Sequence, residues 1–273
     1  MILFLMPAFS IACGLLPLGV SSSTGGSFSQ RIVLVAGEGY ILKLDRTIIK
    51  SLSLFDKMTD DELDALLVPA QTKRLPIGES VFEQGQPASY FFLLLHGRLK
   101  VTQVTSAGQQ IIVRVVHPGD LFGFAKALQR QDYPGTALAA AESIVLSWPT
   151  EMWPKFVERN PRLAVSAMET IGQRLEEAHV RIREMSTQEV EKRVAHTVLR
   201  LAQKAGRSEA AGIRIDFPIS RQDIAEMTGT TIHTVSRIFS AWESRGLIEG
   251  GRQKLLVRDM AELASLADSL PER

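Results

Sequence analysis

The sequence predicts an α+β chain in three parts: an antiparallel, jelly-roll-like β-roll, one long dimerisation helix, and a winged helix-turn-helix. Three observations predict it. Short apolar runs broken by glycines fill residues 72–149, an uninterrupted heptad stripe follows, and the C-terminal third carries two capped amphipathic helices around a tight turn. At 273 residues the chain is long enough for two ordinary domains, each with its own core. The expected divisions are an N-terminal extension at 1–44, the β-roll at 45–160, the long helix at 161–186 and the winged helix-turn-helix at 187–273.

Bulk properties narrow the function classes. The chain is 45% apolar and 22% charged, with a formal charge of +1. Such balance argues against a polybasic binder but leaves room for one basic face on a sequence-specific one. The single cysteine, Cys13, excludes a disulfide framework and any cysteine-ligated zinc or iron–sulfur site within one chain, and it fits a reducing cytoplasm. Residues 1–20 are nearly all apolar and residues 21–29 are rich in Ser and Gly, yet no Lys or Arg precedes the apolar run as an export signal requires. We expect residues 1–44 to be a poorly structured extension, of the kind a misassigned start adds, and expect no membrane contact.

Residues 45–67 read as helical. Leu52, Leu54 and Phe55 precede Thr59-Asp60-Asp61-Glu62, an N-cap with acidic residues in the first turn, and Leu63, Leu66 and Leu67 recur at helical spacing. Strands are expected at 72–75, 80–82, 90–96, 98–105, 110–116 and 143–149, punctuated by glycines such as Gly97, Gly108 and Gly119. Short strands with turn signals every dozen residues or fewer describe an antiparallel barrel or jelly roll.

The apolar positions Ala164, Met168, Ile171, Leu175, Ala178, Ile182 and Met185 then recur in steps of 4, 3, 4, 3, 4, 3. Between them stand Arg174, Glu176, Glu177, Arg181, Arg183 and Glu184. So narrow a seam between charges indicates a coiled-coil contact, most simply with the same helix of a second chain. Met168, Ile171, Leu175, Ala178 and Ile182 are the expected dimerisation residues; packing of the seam on the chain's own roll is the alternative. A helix at 188–205, a loop at 206–212 and a strand at 213–217 follow.

The stretch Ile219-Ser220-Arg221-Gln222-Asp223-Ile224-Ala225-Glu226-Met227-Thr228-Gly229 opens a helix-turn-helix. Ser220 and Asp223 form a capping box with Asp in the usual Glu place, Ala225 lets two helices cross closely, and Gly229 suits a turn of positive φ. Thr231 caps a second helix over 232–244, whose buried face is Val235, Ile238, Phe239 and Trp242. Its other face shows Ile232, His233, Ser236, Arg237 and Ser240. Short polar donors and one Arg near the N-terminal end are what a helix in a DNA major groove needs, because Arg donates two hydrogen bonds to guanine. Residues 247–257 read as a β-hairpin wing, with Arg245, Arg252 and Lys254 placed for phosphate. The candidate DNA-contacting set is Arg221, Thr230, Thr231, Ile232, His233, Ser236, Arg237, Ser240 and Arg252.

With these elements in place, residues 48–266 resemble the Crp/Fnr superfamily of bacterial transcription regulators. The matching strings are Ile219-Ser220-Arg221-Gln222-Asp223-Ile224-Ala225, Thr234-Val235-Ser236-Arg237-Ile238 and, in the roll, Pro76-Ile77-Gly78-Glu79, Phe82-Glu83-Gln84-Gly85 and Pro118-Gly119-Asp120-Leu121-Phe122-Gly123. The resemblance implies a homodimer on palindromic double-stranded DNA sites, contact with RNA polymerase, usually as an activator, and a small-molecule or gas effector. Its candidate pocket here is Phe122, Gly123, Phe124, Gly135 and Thr136. Phe124 stands where the cyclic-AMP-binding branch has Glu, and Gly135-Thr136 where it has Arg-Ser, so cyclic AMP is not expected. One cysteine cannot hold the iron–sulfur cluster of the oxygen-sensing branch. The run Thr230-Thr231-Ile232-His233-Thr234-Val235-Ser236-Arg237 is similar to the NnrR-type regulators of nitrite and nitric-oxide reduction. That similarity implies nitric oxide as effector, with haem as a candidate cofactor. As haem ligands, His96 and His117 read as loop or surface histidines.

Enzyme chemistry finds little footing. A cupin-like metal site needs two histidines one residue apart plus a Glu, which the sequence lacks, and no Ser-His-Asp or Cys-His motif appears. No catalytic or metal-ligating residue is expected. The alternative that stays open is a constitutive or other-ligand-controlled DNA binder whose roll is purely structural.

Overall fold

The computed structural model describes residues 31–35, 41–45 and 49–268, apart from residues 51, 53, 54, 56, 57, 126 and 127. The apolar run 1–30 and Leu54 lie outside the described residues. Within the expected extension, β1 (Arg31–Val35) and β2 (Ile41–Asp45) pair antiparallel, so this part is not structureless. Asp45 therefore ends a strand, and the described helix of this region is shorter than the apolar spacing suggested: α1 spans Asp60–Leu67. Its Thr59–Glu62 capping box fixes the start, and Leu63, Leu66 and Leu67 are buried.

Eight strands build the roll: β3 (Gln71–Leu75), β4 (Ser80–Phe82), β5 (Tyr90–His96), β6 (Leu99–Val104), β7 (Gln110–Val116), β8 (Leu121–Phe122), β9 (Thr136–Ala139) and β10 (Ser143–Pro149). They form two four-stranded antiparallel sheets, in the orders β3-β10-β5-β8 and β4-β9-β6-β7. The expected six strands are present, with ends differing by one residue at most. The two added strands had weak signals: β8 has two residues, and β9 reads Thr-Ala-Leu-Ala, poor in β-formers. Tertiary pairing overrides that weakness, since β9 lies between β4 and β6 with Ala137 fully buried. Between the sheets pack Leu75, Phe82, Phe92, Leu94, Leu99, Val116, Phe122 and Val145. The outer side of β5 and β10 is covered too, which explains the unbroken apolar run at β5: Phe91, Leu93, Leu146 and Trp148 meet α1 and the following helix, α2 (Trp153–Arg159). Trp148 Nε1 donates to the Leu66 carbonyl at 2.7 Å, tying α1 to the sheet.

The long helix α3 (Arg162–Thr187) has 26 residues, hence a length of about 39 Å at 1.5 Å per residue. It ends where Gln188 turns extended, and α4 (Val190–Ala205) begins the C-terminal domain. The expected loop at 206–212 is instead a hairpin: β11 (Gly206–Glu209) pairs with β12 (Gly212–Ile215). The residues of β11, Gly-Arg-Ser-Glu, are all exposed, so no apolar alternation could announce a strand. Then come α5 (Arg221–Thr228), α6 (Ile232–Ser244), the wing strands β13 (Ile248–Gly251) and β14 (Lys254–Val257), and α7 (Met260–Asp268). Val194, Val198, Ile224, Val235, Trp242, Val257 and Leu263 share one core here, which Ile112 and Ala140 of the roll join.

Candidate nucleic-acid interface

Local chemistry positions the second helix of the motif. At the start of α5 the Ser220 hydroxyl accepts from the Asp223 N–H at 3.1 Å, and Asp223 Oδ2 accepts from the Ser220 N–H at 2.7 Å, which closes the capping box. Gly229 ends α5 with φ 64° and ψ 40°, a left-handed conformation that costs glycine nothing. Thr231 caps α6 by accepting from the Thr234 N–H at 3.2 Å.

The two faces of α6 divide as the spacing requires. Val235, Ile238, Phe239 and Trp242 are buried, and Trp242 Nε1 donates to Glu191 Oε1 of α4 at 2.8 Å. Thr231, His233, Arg237 and Ser240 are exposed, Ile232 is 41% exposed, and Thr230 and Ser236 are half-buried. The structure thus gathers these residues on one surface. Arg252 is exposed at the tip of the wing, where Gln253 takes φ 59° between the paired Gly251 and Lys254. Two cations behave differently. Arg221 is half-buried, bonded to Glu243 at 3.2 Å and set over the Phe239 ring at 5.9 Å, so it ties α5 to α6. Arg245 is paired with Glu262 at 2.9 Å.

The expected effector residues do not converge. Phe122 enters the core between the sheets, whereas Phe124, two residues on, stacks on Phe91 at 5.4 Å and meets Trp153 edge-on in the outer core. Gly123, at φ 80°, lies so close to Phe92 that an added Cβ would sit 2.7 Å from its ring. At Gly135 a Cβ would sit 2.5 Å from the Thr102 carbonyl, and the Thr136 hydroxyl accepts from the Gln84 N–H at 3.0 Å. Phe82 and Tyr133 stack at 3.9 Å in the roll interior.

Along α3 the seam is bare: Met168, Ile171, Leu175 and Ile182 are 71%, 38%, 56% and 61% exposed, and Ala178 is exposed. The helix is held to the roll by other residues, with Arg181 Nη1 donating to the carbonyls of Ile112 and Val113 at 3.1 and 3.0 Å. Packing of the seam on the chain's own roll is therefore not what the fold does. His96 is exposed, and His117 lies in the loop after β7, half-buried there, where burial with the nearby Arg98 charge lowers its pKa. Charged neighbours rather than an apolar slot surround it, so this donor set does not fit haem. No helix among the described residues is long and apolar enough to cross a membrane.

Comparison with known proteins agrees with this arrangement. Residues 192–266 match the Crp-like helix-turn-helix domain, and residues 72–160 match the cyclic nucleotide-binding domain. The cyclic AMP receptor protein of Thermus thermophilus is 27% identical over 222 residues, 81% of this chain and 100% of that protein. A transcriptional regulator of the CRP family from the same organism has 26% identity and a TM-score of 0.62, covering 73% of this chain and 98% of its own. FixK2 from Bradyrhizobium japonicum, 22% identical with a TM-score of 0.64 over 74% of this chain and 98% of its own, shares the fold.

Proposed function

Because the chain belongs to the Crp/Fnr family of transcription regulators, we propose that it works as a cytoplasmic homodimer, laying two α6 helices into successive major grooves of a palindromic promoter site and contacting RNA polymerase from there. The observation that carries this reading is the division of α6: four inward residues fix its rotation, and His233 and Arg237 are exposed on the outward side. The bare heptad seam of α3 supports the dimer, since a lone chain would leave that stripe in water. The same reading makes the protein a regulator and not an enzyme.

Control by nitric oxide rests on the α6 string alone, and the surroundings of His117 lend it no haem site. The experiment is binding-site selection with the purified chain alongside sedimentation. Paired half-sites about 34–36 Å apart, bound by a dimer, are expected. Enrichment of unpaired or random sequence would refute the reading.

A further inference from the structure

Where α3 meets the roll, a band of cations keeps hydrogen-bonding capacity that the described residues do not use. Arg114 of β7 stands opposite Val101, its side chain only 18% exposed. Its Nε and Nη2 find no acceptor among the described residues, and neither do Nε of Arg98, Nε of Arg174 or Nδ1 of His117. These groups lie within one another's fields: Arg174 near Arg114, and His117 near Arg98, Arg114 and Lys204. The carboxylates nearby are few. Asp120 Oδ2 is 3.8 Å from Arg114 Nη2 and already accepts from the His117 backbone N–H at 3.0 Å, while Glu177 is paired with Lys204. Arg174 spends one Nη on the Leu121 carbonyl, Arg98 spends one on its neighbour Gly97, and Asp216 is the carboxylate that acts most on Arg98, ahead of Asp120. Burial pushes the Arg174 guanidinium down to about 10. Leaving so many donors unmade is costly, and apolar residues would pack this interface more cheaply.

We propose that Arg98, Arg114, His117 and Arg174 form a binding site for a small oxyanion, a carboxylate or phosphate group, between β7 and the long helix. Guanidinium groups only donate, in a fork that matches two oxygens of such an anion. A neutral ligand would satisfy hydrogen bonds but leave the charge uncompensated. His117, with its proton on Nδ1, adds a donor from the roll. Arg174 adjoins the seam residue Leu175, so an anion here bears on the helix that would pair with a second chain. The proposal rests on the reading of the roll as a sensor and deepens it, without using Phe124, Gly135 or Thr136.

Calorimetric titration of the full chain with inorganic phosphate and with succinate, against sodium chloride at matched ionic strength, tests it. Saturable binding of phosphate or succinate but not chloride is expected, and which of the two binds identifies the anionic group. Arg114→Gln should weaken it about tenfold or more, and Arg174→Lys, which keeps the charge but loses the fork, should also weaken it. Arg130→Gln, at a surface pair with Asp132, should not. Binding of neither anion overturns the site, as does binding unchanged in both the Arg114 and Arg174 variants. Operator affinity in the same samples separates the two readings. Anion binding without effect on the operator supports the site and counts against the sensor role, whereas intact operator binding without anion binding removes the site and leaves the regulator standing.

Discussion

Lys100 of the roll donates to Asp223 of the helix-turn-helix at 2.6 Å, and the two side chains are only 16% and 14% exposed. Asp223 is also the capping-box residue of α5, so one carboxylate starts the helix with Oδ2 and docks it on β6 with Oδ1. Gln110 of β7 reaches Glu226 one turn later, at 3.1 Å. The roll and the helix-turn-helix thus meet on a polar pair beside the shared apolar contact of Ile112.

Lys100→Ala should remove the cation while the cap persists through Ser220. We expect a loss of about 1–3 kcal/mol, less than for a fully buried pair because some water reaches it. Denaturant titration should show a lower midpoint. An unchanged midpoint would mean that the two domains do not hold this contact in solution.

The α3 seam predicts the oligomer. Ile171→Glu combined with Leu175→Glu places like charges where two helices would meet, and the variant should sediment as a monomer with poor operator binding. A dimer that persists in ultracentrifugation would refute the assignment of the seam.

Base reading should divide between helix and wing. Arg237→Ala is expected to cost about 1–3 kcal/mol and to relax preference at a single base pair. Arg252→Ala should weaken all sequences alike and lower the salt dependence. His233→Glu should move specificity rather than only reduce affinity, because carboxylate accepts where neutral imidazole also donates. Binding-site selection on the three variants decides; a changed sequence preference in the Arg252 variant would mean that α6 is rotated differently on DNA.

Cyclic AMP should not bind at micromolar concentration. The Phe124 ring is engaged in the outer core, and Gly135 has no room for the side chain a phosphate would need. Calorimetry with the nucleotide should show no saturable heat; a micromolar isotherm would disprove this.

Acid should loosen the roll through His117. Its folded pKa is lowered, first by burial and then by Arg98, with Lys204 and Arg114 adding to the effect and Asp120 opposing it. The unfolded chain therefore binds more protons below pH about 6.5, so the stability present above that value is lost as pH falls through the folded pKa. His117→Gln should flatten this part of the stability curve, and an equal slope in both proteins would exclude His117 as the cause.

The local part of this protein was readable along the chain. Thr59, Ser220 and Thr231 cap helices with groups three residues away, Gly229 turns because glycine alone enters the left-handed region freely, and the α6 faces follow from a 3.6-residue period. The seam of α3 was legible for the same reason, and the fold leaves it exposed. Only the tertiary structure decided the rest. Strand β9 exists because β4 and β6 flank it, not because Thr-Ala-Leu-Ala favours extension. Phe122 and Phe124 part company because the Gly123 turn sends them into different cores. Lys100 and Asp223 are 123 residues apart, and Arg98 precedes β6, Arg114 lies on β7 and Arg174 on α3. Periodicity and capping act within a few residues, whereas charge pairing and core membership depend on which surfaces the chain folds together, and spacing carries no record of that.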